Sequence, residues 1–339
     1  MTKMTRVIVT DDSAFMRKIL SDIIGSDPEL EVVATAKDGQ DLLDKIVDFR
    51  PDVITLDISM PVMDGLSALG RIMDENPLPV VMISALSDEE NVFSALEMGA
   101  VDFIPKTSGI ISIDIHKKKD VIIGKIKAAA QSRLQKGLTE QNIDDTQIAK
   151  IHPKGWIICL AGSTGGPKTI ESFLQALPAG FTSPVVILQR LPKEFCAGFV
   201  RRLNKNCSIA VKEAEEGEVL REGFAYVVPV DSCISLKESS QGVLAHVSPI
   251  DGGASFIDAS LKEIAHAYKD KALGIIVSGM NEEGKAGAKE IKDFNGVVIC
   301  QDEASSIMPT LPTSVIKGGF ADHVVHARDI ADKVMEMLG

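Results

Sequence analysis

Asp11-Asp12, Asp57, Ser84 and Lys106 are the residues of this 339-residue chain whose types and spacing point most directly to chemistry. Paired carboxylates hold a hard cation such as Mg²⁺, which keeps several waters and binds through one or two carboxylates plus phosphate oxygens. A further carboxylate, Asp57, can serve as a nucleophile and become an aspartyl phosphate. Ser84 offers a hydroxyl and Lys106 a point charge to the oxygens of a newly bound phosphoryl group. Three carboxylates, a hydroxyl and an ammonium make a phosphoryl-transfer site, provided the fold brings them together.

The flanking sequence supplies the elements that position them. Each residue follows a short β-branched, apolar run: Val7-Ile8-Val9, Val53-Ile54-Thr55-Leu56, Val80-Val81-Met82-Ile83 and Val101-Asp102-Phe103-Ile104. Runs of that kind, alternating with helical stretches, read as buried parallel strands. Ligands of an open parallel sheet bind at the carboxyl ends of its strands, where all four positions fall. The rest of the chain is then what the phosphate controls.

These residues lie in recognisable text. Residues 4–106 resemble the receiver domain of two-component signalling response regulators, through TDDSAFMRK, KDG at 37–39, LDISMPVMDG from 56, ISA from 83 and DFIPK ending at Lys106. The resemblance implies Asp57 as phosphoacceptor, with Asp12, Asp57 and the Ser59 carbonyl as Mg²⁺ ligands and Asp11 assisting. It also implies a switch formed by Ser84, Phe103 and Lys106. Ser59 stands where the family often carries Glu or another residue, but only its backbone is needed.

Composition bounds the rest. At this length the chain exceeds a single core, and two domains are expected. Hydrophobic residues make up 45% and charged residues 25%, as in ordinary globular domains. The net charge of −12 argues against nucleic acid and anionic membrane surfaces as partners. The first residues do not read as a signal peptide, because Val7-Ile8-Val9 leads straight into two aspartates. No apolar stretch is long enough to span a bilayer, so no membrane insertion and a cytoplasmic location are expected. The five cysteines form no C-x-x-C pair, which favours reduced structural thiols. The histidines lack metal-binding spacing.

A helix is expected from about Ser112 to Leu134; its basic run, His116-Lys117-Lys118-Lys119, reads as a solvated face. Residues 135–153 are polar and aperiodic and read as a linker. Beyond them, Gly155–Ala161 reads as a strand, followed by the turn Gly162-Ser163-Thr164-Gly165-Gly166, with Pro167 suited to a first helical turn. Taken alone, that turn fits a phosphate cradle, an acyl-transfer nucleophile or a plain tight turn. Further strands are expected at Val185–Gln189, Ala225–Pro229, Leu273–Ser278 and Val297–Glu303, and helices at Ile170–Leu177 and Ile257–Tyr268.

With these segments in order, the whole chain resembles the chemotaxis response regulator protein-glutamate methylesterases. In that family a receiver is fused to a serine hydrolase that cleaves methyl esters on receptor glutamates and deamidates receptor glutamines. The resemblance implies a flavodoxin-like receiver with a five-stranded parallel sheet (residues 1–130), a linker (131–153) and a doubly wound α/β hydrolytic domain (154–339). It implies a chemotaxis histidine kinase as phosphodonor and methyl-accepting chemoreceptors as partners. Ser163 matches the nucleophile, and Thr164 and Met280 match residues beside it. The family's catalytic His falls at Arg190 in Gln189-Arg190-Leu191-Pro192. Its Asp falls at Glu283 in Gly279-Met280-Asn281-Glu282-Glu283-Gly284.

Those two departures differ in weight. Glutamate for aspartate keeps a carboxylate that can orient a base. Arginine has no acceptor lone pair and cannot take the Ser163 proton. Opposite charges at positions that touch in the family also suggest a salt bridge across the pocket. The expectation is therefore a receiver-controlled protein with impaired hydrolysis. The alternative is an active methylesterase with an unrecognised base; a transcription factor is set aside for want of a basic helix-turn-helix.

Overall fold

The computed structural model describes residues 4–85, 88–106, 118–132, 155–240, 242–250 and 255–338. It divides into two compact units, residues 1–139 and 140–339. The expected linker, apart from Gln131 and Ser132, and His116-Lys117 of the basic run lie outside the described residues. Of the helix expected at 112–134, Lys119–Gln131 is described and helical.

In the first unit, β1 (Thr5–Thr10), β2 (Leu30–Ala36), β3 (Val53–Asp57), β4 (Val80–Ser84) and β5 (Asp102–Pro105) form one sheet ordered β2-β1-β3-β4-β5. Every pairing is parallel. This is the flavodoxin-like order, and it reverses direction at β1/β3, which opens a crevice at their carboxyl ends. Val7, Ile8, Val9, Ile54, Leu56, Val81, Met82 and Ile83 are fully buried. Side chains alternate across a pleated strand, so burial of consecutive residues requires helices on both faces. Local polar groups start those helices. Ser13 caps Ala14–Gly25, Asp38 caps Gly39–Phe49 and Asp64 caps Gly65–Glu75, each accepting from a backbone N–H three residues on.

In the second unit, the seven-stranded sheet contains β6 (Ile157–Gly162), β7 (Val185–Gln189), β8 (Ala210–Glu213), β9 (Phe224–Val227), β12 (Ala272–Ile276), β13 (Val297–Gln301) and β14 (His323–Val325). A separate antiparallel hairpin pairs β10 (Ser232–Ser239) with β11 (Gly242–Pro249). The sheet order is β14-β13-β12-β6-β7-β9-β8, again all parallel. The chain builds outward from β6 through β7, then returns to add β12 on the other side. The carboxyl ends of β6, β7 and β12 therefore surround the second switch point, and Ser163, Arg190 and the 279–284 loop follow them directly. The packing behind them is apolar: Cys159, Ala161, Val186, Leu188, Ile257, Leu261, Ile276 and Leu311 belong to one buried cluster.

Candidate functional site

Two groups of polar side chains stand at the two switch points. At the first, one ligand oxygen from each of Asp11, Asp12 and Asp57 lies within 4.8 Å of the others, with Asp11 and Asp57 buried and Asp12 exposed. Lys106 Nζ reaches Asp57 Oδ2 at 2.7 Å and Asp11 Oδ2 at 3.0 Å. Asp11 Oδ2 has no hydrogen-bond partner among the described residues, so the second contact is one of charge. Asp11 Oδ1 accepts from the Ser13 N–H at 2.9 Å, which fixes the carboxylate.

Burial pushes the Asp57 carboxyl up to about 6, although the Lys106 hydrogen bond and charge oppose that rise. Burial acts to lower the Lys106 proton affinity, but the Asp57 bond and the Asp11 and Asp57 charges together raise it. Two carboxylates flanking one ammonium make a site short of positive charge, and a donor set made of oxygen suits a hard divalent cation. Gly65 is required by this geometry. A Cβ there would lie 2.0 Å from the Asp57 carbonyl oxygen, so a side chain at 65 would displace the loop that carries Asp57.

The remaining receiver residues occupy definite places. Ser84 is buried at the end of β4, and its hydroxyl donates to the Ala85 carbonyl at 2.9 Å. Phe103 is buried in β5, with Lys125 Nζ 5.3 Å from its ring centroid. Ser59 lies two residues beyond β3 and is exposed.

At the second switch point, Ser163 and Thr164 are buried in the turn after β6. The turn is held from several sides. Ser163 N–H donates to the Ser278 carbonyl at 3.0 Å, and Gln189 Nε2 donates to the Ser163 carbonyl at 2.9 Å and the Arg190 carbonyl at 3.0 Å. Ser278 Oγ donates to the Thr164 carbonyl at 2.8 Å. Gly165 takes φ +77°, where a Cβ would lie 2.6 Å from Ser278 Oγ, so glycine satisfies both backbone and space. Thr164 Oγ1 contacts Met280 Sδ at 3.6 Å. The Met280 N–H donates to Ser163 Oγ at 2.9 Å.

Arg190 and Glu283 meet beside this turn. Arg190 Nε lies 2.9 Å from Glu283 Oε2 and Nη2 lies 2.6 Å from Oε1, a bidentate fork. The guanidinium carbon sits 5.2 Å from the Phe256 ring centroid, a cation–π distance. Asp258, in the first turn of the Phe256–Tyr268 helix, accepts from Gly284 N–H at 3.0 Å and Gly287 N–H at 2.7 Å. The start of that helix thus holds both partners, Arg190 through Phe256 and Glu283 through its loop.

Sequence reasoning placed Ser163, Thr164, Arg190, Met280 and Glu283, and the structure brings all five to one switch point. It missed Phe256, Asp258, Ser278 and Gln189 as supports. The Ser255-x-x-Asp258 pattern could have flagged the helix start; Ser255 Oγ accepts from Asp258 N–H at 3.1 Å.

Residues 158–334 match the family described as CheB methylesterase, and residues 7–114 match the response regulator receiver domain. The chain belongs to the CheB methylesterase family. It is 36% identical over 341 residues to a protein-glutamate methylesterase/protein-glutamine glutaminase of Thermotoga maritima, covering 99% of each. It is 40% identical over 344 residues to one of Pyrococcus abyssi, covering 98% of this chain and 93% of the relative. The crystal structure of the Thermotoga maritima CheB methylesterase catalytic domain aligns with a TM-score of 0.52 at 33% identity, over 54% of this chain and 99% of that one. The CheB family thus accounts for the order of both units. Among the described residues, no helix is long and apolar enough to cross a membrane.

Proposed function

We propose that this chain is a phosphorylation-controlled chemotaxis response regulator, related to the protein-glutamate methylesterase/glutaminases, whose hydrolytic turnover is lost or strongly impaired. One observation carries the reading: the Arg190–Glu283 fork occupies the two positions that would supply a base and its orienting carboxylate. A serine hydroxyl attacks an ester only if a neighbouring group removes its proton. A guanidinium offers only N–H donors, and both Glu283 oxygens are taken up by Arg190. Of the four described histidines, His246 lies with Glu216 at 2.8 Å, His266 near Glu290 at 3.5 Å and His326 with Arg328, and His323 sits in the edge strand β14. Loss of a triad base costs on the order of a millionfold in turnover.

The receiver keeps its complete set of groups. Asp57 is the phosphoacceptor, and Asp11, Asp12, Asp57 and the Ser59 carbonyl would hold Mg²⁺. The bound cation would neutralise charge on phosphoryl oxygens. Lys106 holds the Asp57 carboxylate in the free protein and pairs with the phosphoryl group after transfer, while Ser84 and Phe103 respond as the switch. A chemotaxis histidine kinase is the phosphodonor and methyl-accepting chemoreceptors are the docking partners. The test is methanol release from methylated receptor, with and without phosphodonor, against the Ser163→Ala variant. A Ser163-dependent rate well above that variant would identify an active esterase with another base and overturn the reading.

A further inference from the structure

The altered pocket has an unused recognition surface. Arg190 carries five N–H donors, and Glu283 takes the Nε–H and one on Nη2. The end of the guanidinium, with both Nη1 hydrogens and the second on Nη2, has no protein acceptor among the described residues. That side chain is 39% exposed, while Glu283 is 20% exposed. Phe256 lies against the guanidinium and limits its rotation, so the free edge is pre-oriented. Ser163, in the turn after the adjacent strand, is buried at 5% exposure. Its Oγ accepts from Met280 N–H, which leaves the hydroxyl proton without an acceptor among the described residues. Arg190 and Ser163 are neighbours by register: Gly162 pairs with Gln189 across β6 and β7, and Arg190 N–H donates to the Gly162 carbonyl at 3.0 Å.

We propose that this pocket binds the free side-chain carboxylate of a protein glutamate, with Arg190 and Ser163 as donors. The inference rests on the reading that the hydrolytic machinery is impaired, and it names what the site takes instead of an ester. The groups left over are donors, and a carboxylate is the acceptor that can accept two parallel bonds from a guanidinium edge. A glutamine side chain would turn its NH₂ toward those donors, and a methyl ester carries no charge. Glu283 leaves the pair with no net charge, so binding depends on hydrogen-bond geometry more than on long-range attraction. In this arrangement the guanidinium bridges two carboxylates, one from the protein and one from the ligand.

The experiment uses the full chain, ¹⁵N-labelled for observation of the Arg190 Nε–H resonance. It is titrated with three alanine-rich peptides blocked at both ends and carrying one central glutamate, glutamine or glutamate methyl ester, and with an all-alanine peptide whose C-terminal carboxylate is free. The expected result is a shift of the Arg190 resonance with the glutamate peptide, at an affinity at least about tenfold above the glutamine and ester twins. Ser163→Ala should weaken the glutamate peptide about fivefold, as for one net hydrogen bond, and Arg190→Gln, followed through its backbone amide resonances, should remove the preference. Equal affinity for glutamine or ester, no shift with glutamate, or an equal response to the C-terminal carboxylate would overturn the proposal. Methanol release from the ester peptide reports separately on the hydrolytic reading. Ser163-dependent release would end that reading, whereas no release and no carboxylate preference would end the present inference alone.

Discussion

Arg190 and Glu283 meet edge to edge, with Nε 2.9 Å from Oε2 and Nη2 2.6 Å from Oε1. They lie beyond the ends of β7 and β12, which flank β6 on opposite sides, so the pair ties together the two halves of the sheet at its switch point. On the reading proposed above, a donor stands where a base would accept the Ser163 proton, and its partner keeps the negative charge.

Catalytic repair should require both positions. Wild-type methylesterase activity should match Ser163→Ala. Arg190→His alone should recover little, because the new imidazole would face the longer Glu283 side chain. Arg190→His with Glu283→Asp should recover more than either single change, read as initial rates of methanol release from methylated receptor. Full activity of the wild type would refute the premise.

The ion pair should contribute modestly to stability. Arg190 is more than a third exposed, so solvent screening limits the coupling to about 0.5–1 kcal/mol. A double-mutant cycle over Arg190→Ala and Glu283→Ala, followed by urea unfolding, measures it. The coupling should shrink in 1 M salt, where the Debye length is about 3 Å. A coupling that salt leaves unchanged would mean that packing, not charge, joins the two.

Phosphorylation should depend on Asp57 and on divalent cation. Asp57→Asn should abolish incorporation from a small phosphodonor, and chelation of Mg²⁺ should do the same to the wild type. Lys106→Ala should leave a labelled but poorly switching protein, because its Nζ touches Asp57 and Asp11 without supplying the nucleophile. Undiminished labelling of Asp57→Asn would move the acceptor elsewhere.

Removing the Ser278 hydroxyl should loosen the turn around Ser163. It donates to the Thr164 carbonyl and accepts from Met308 N–H at 2.8 Å, and it is fully buried. Ser278→Ala leaves a buried N–H without its partner, a cost of about 1–3 kcal/mol. Chemical denaturation gives the number; a change below 0.5 kcal/mol (about the scatter of surface substitutions) would show the network to be redundant.

The thiols should be unreactive at neutral pH. Burial pushes Cys196 up to about 11 and Cys207 and Cys300 to about 12, and it raises Cys159 and Cys233 as well. In the unfolded chain they ionise near 9. The folded state therefore holds these protons longer, and its stability is full below pH 9 and falls as pH rises toward 11–12. Denaturant midpoints at pH 7 and 10 check the sign. Rapid native labelling at pH 7.5 by a thiol reagent would contradict it.

Strands flanked by chemistry were the legible part of the sequence. β1, β3, β4, β6, β7, β12 and β13 carry apolar runs that are buried on both faces, so periodicity and burial agree. The edge strands of the second sheet were not individually visible. β8 is four residues of mixed burial, and β14 is three half-exposed residues at the other edge, so neither produces a run. The β10–β11 hairpin was hidden because Ser232–Ser239 buries only Ile234 and Leu236. At the second site, motif positions located Ser163, Arg190 and Glu283. The supports Phe256 and Asp258 were beyond reach, because their role comes from a helix that meets the switch point only in three dimensions.

Gln189 links the two main-chain segments that carry Ser163 and Arg190. One buried amide binds the main-chain carbonyls of both Ser163 and Arg190, and it does so without touching either side chain. The location of residue 190 is therefore inherited from the strand end and is indifferent to what the residue is. A substitution at 190 therefore changes the chemistry offered beside Ser163 without any rebuilding of the backbone that presents it.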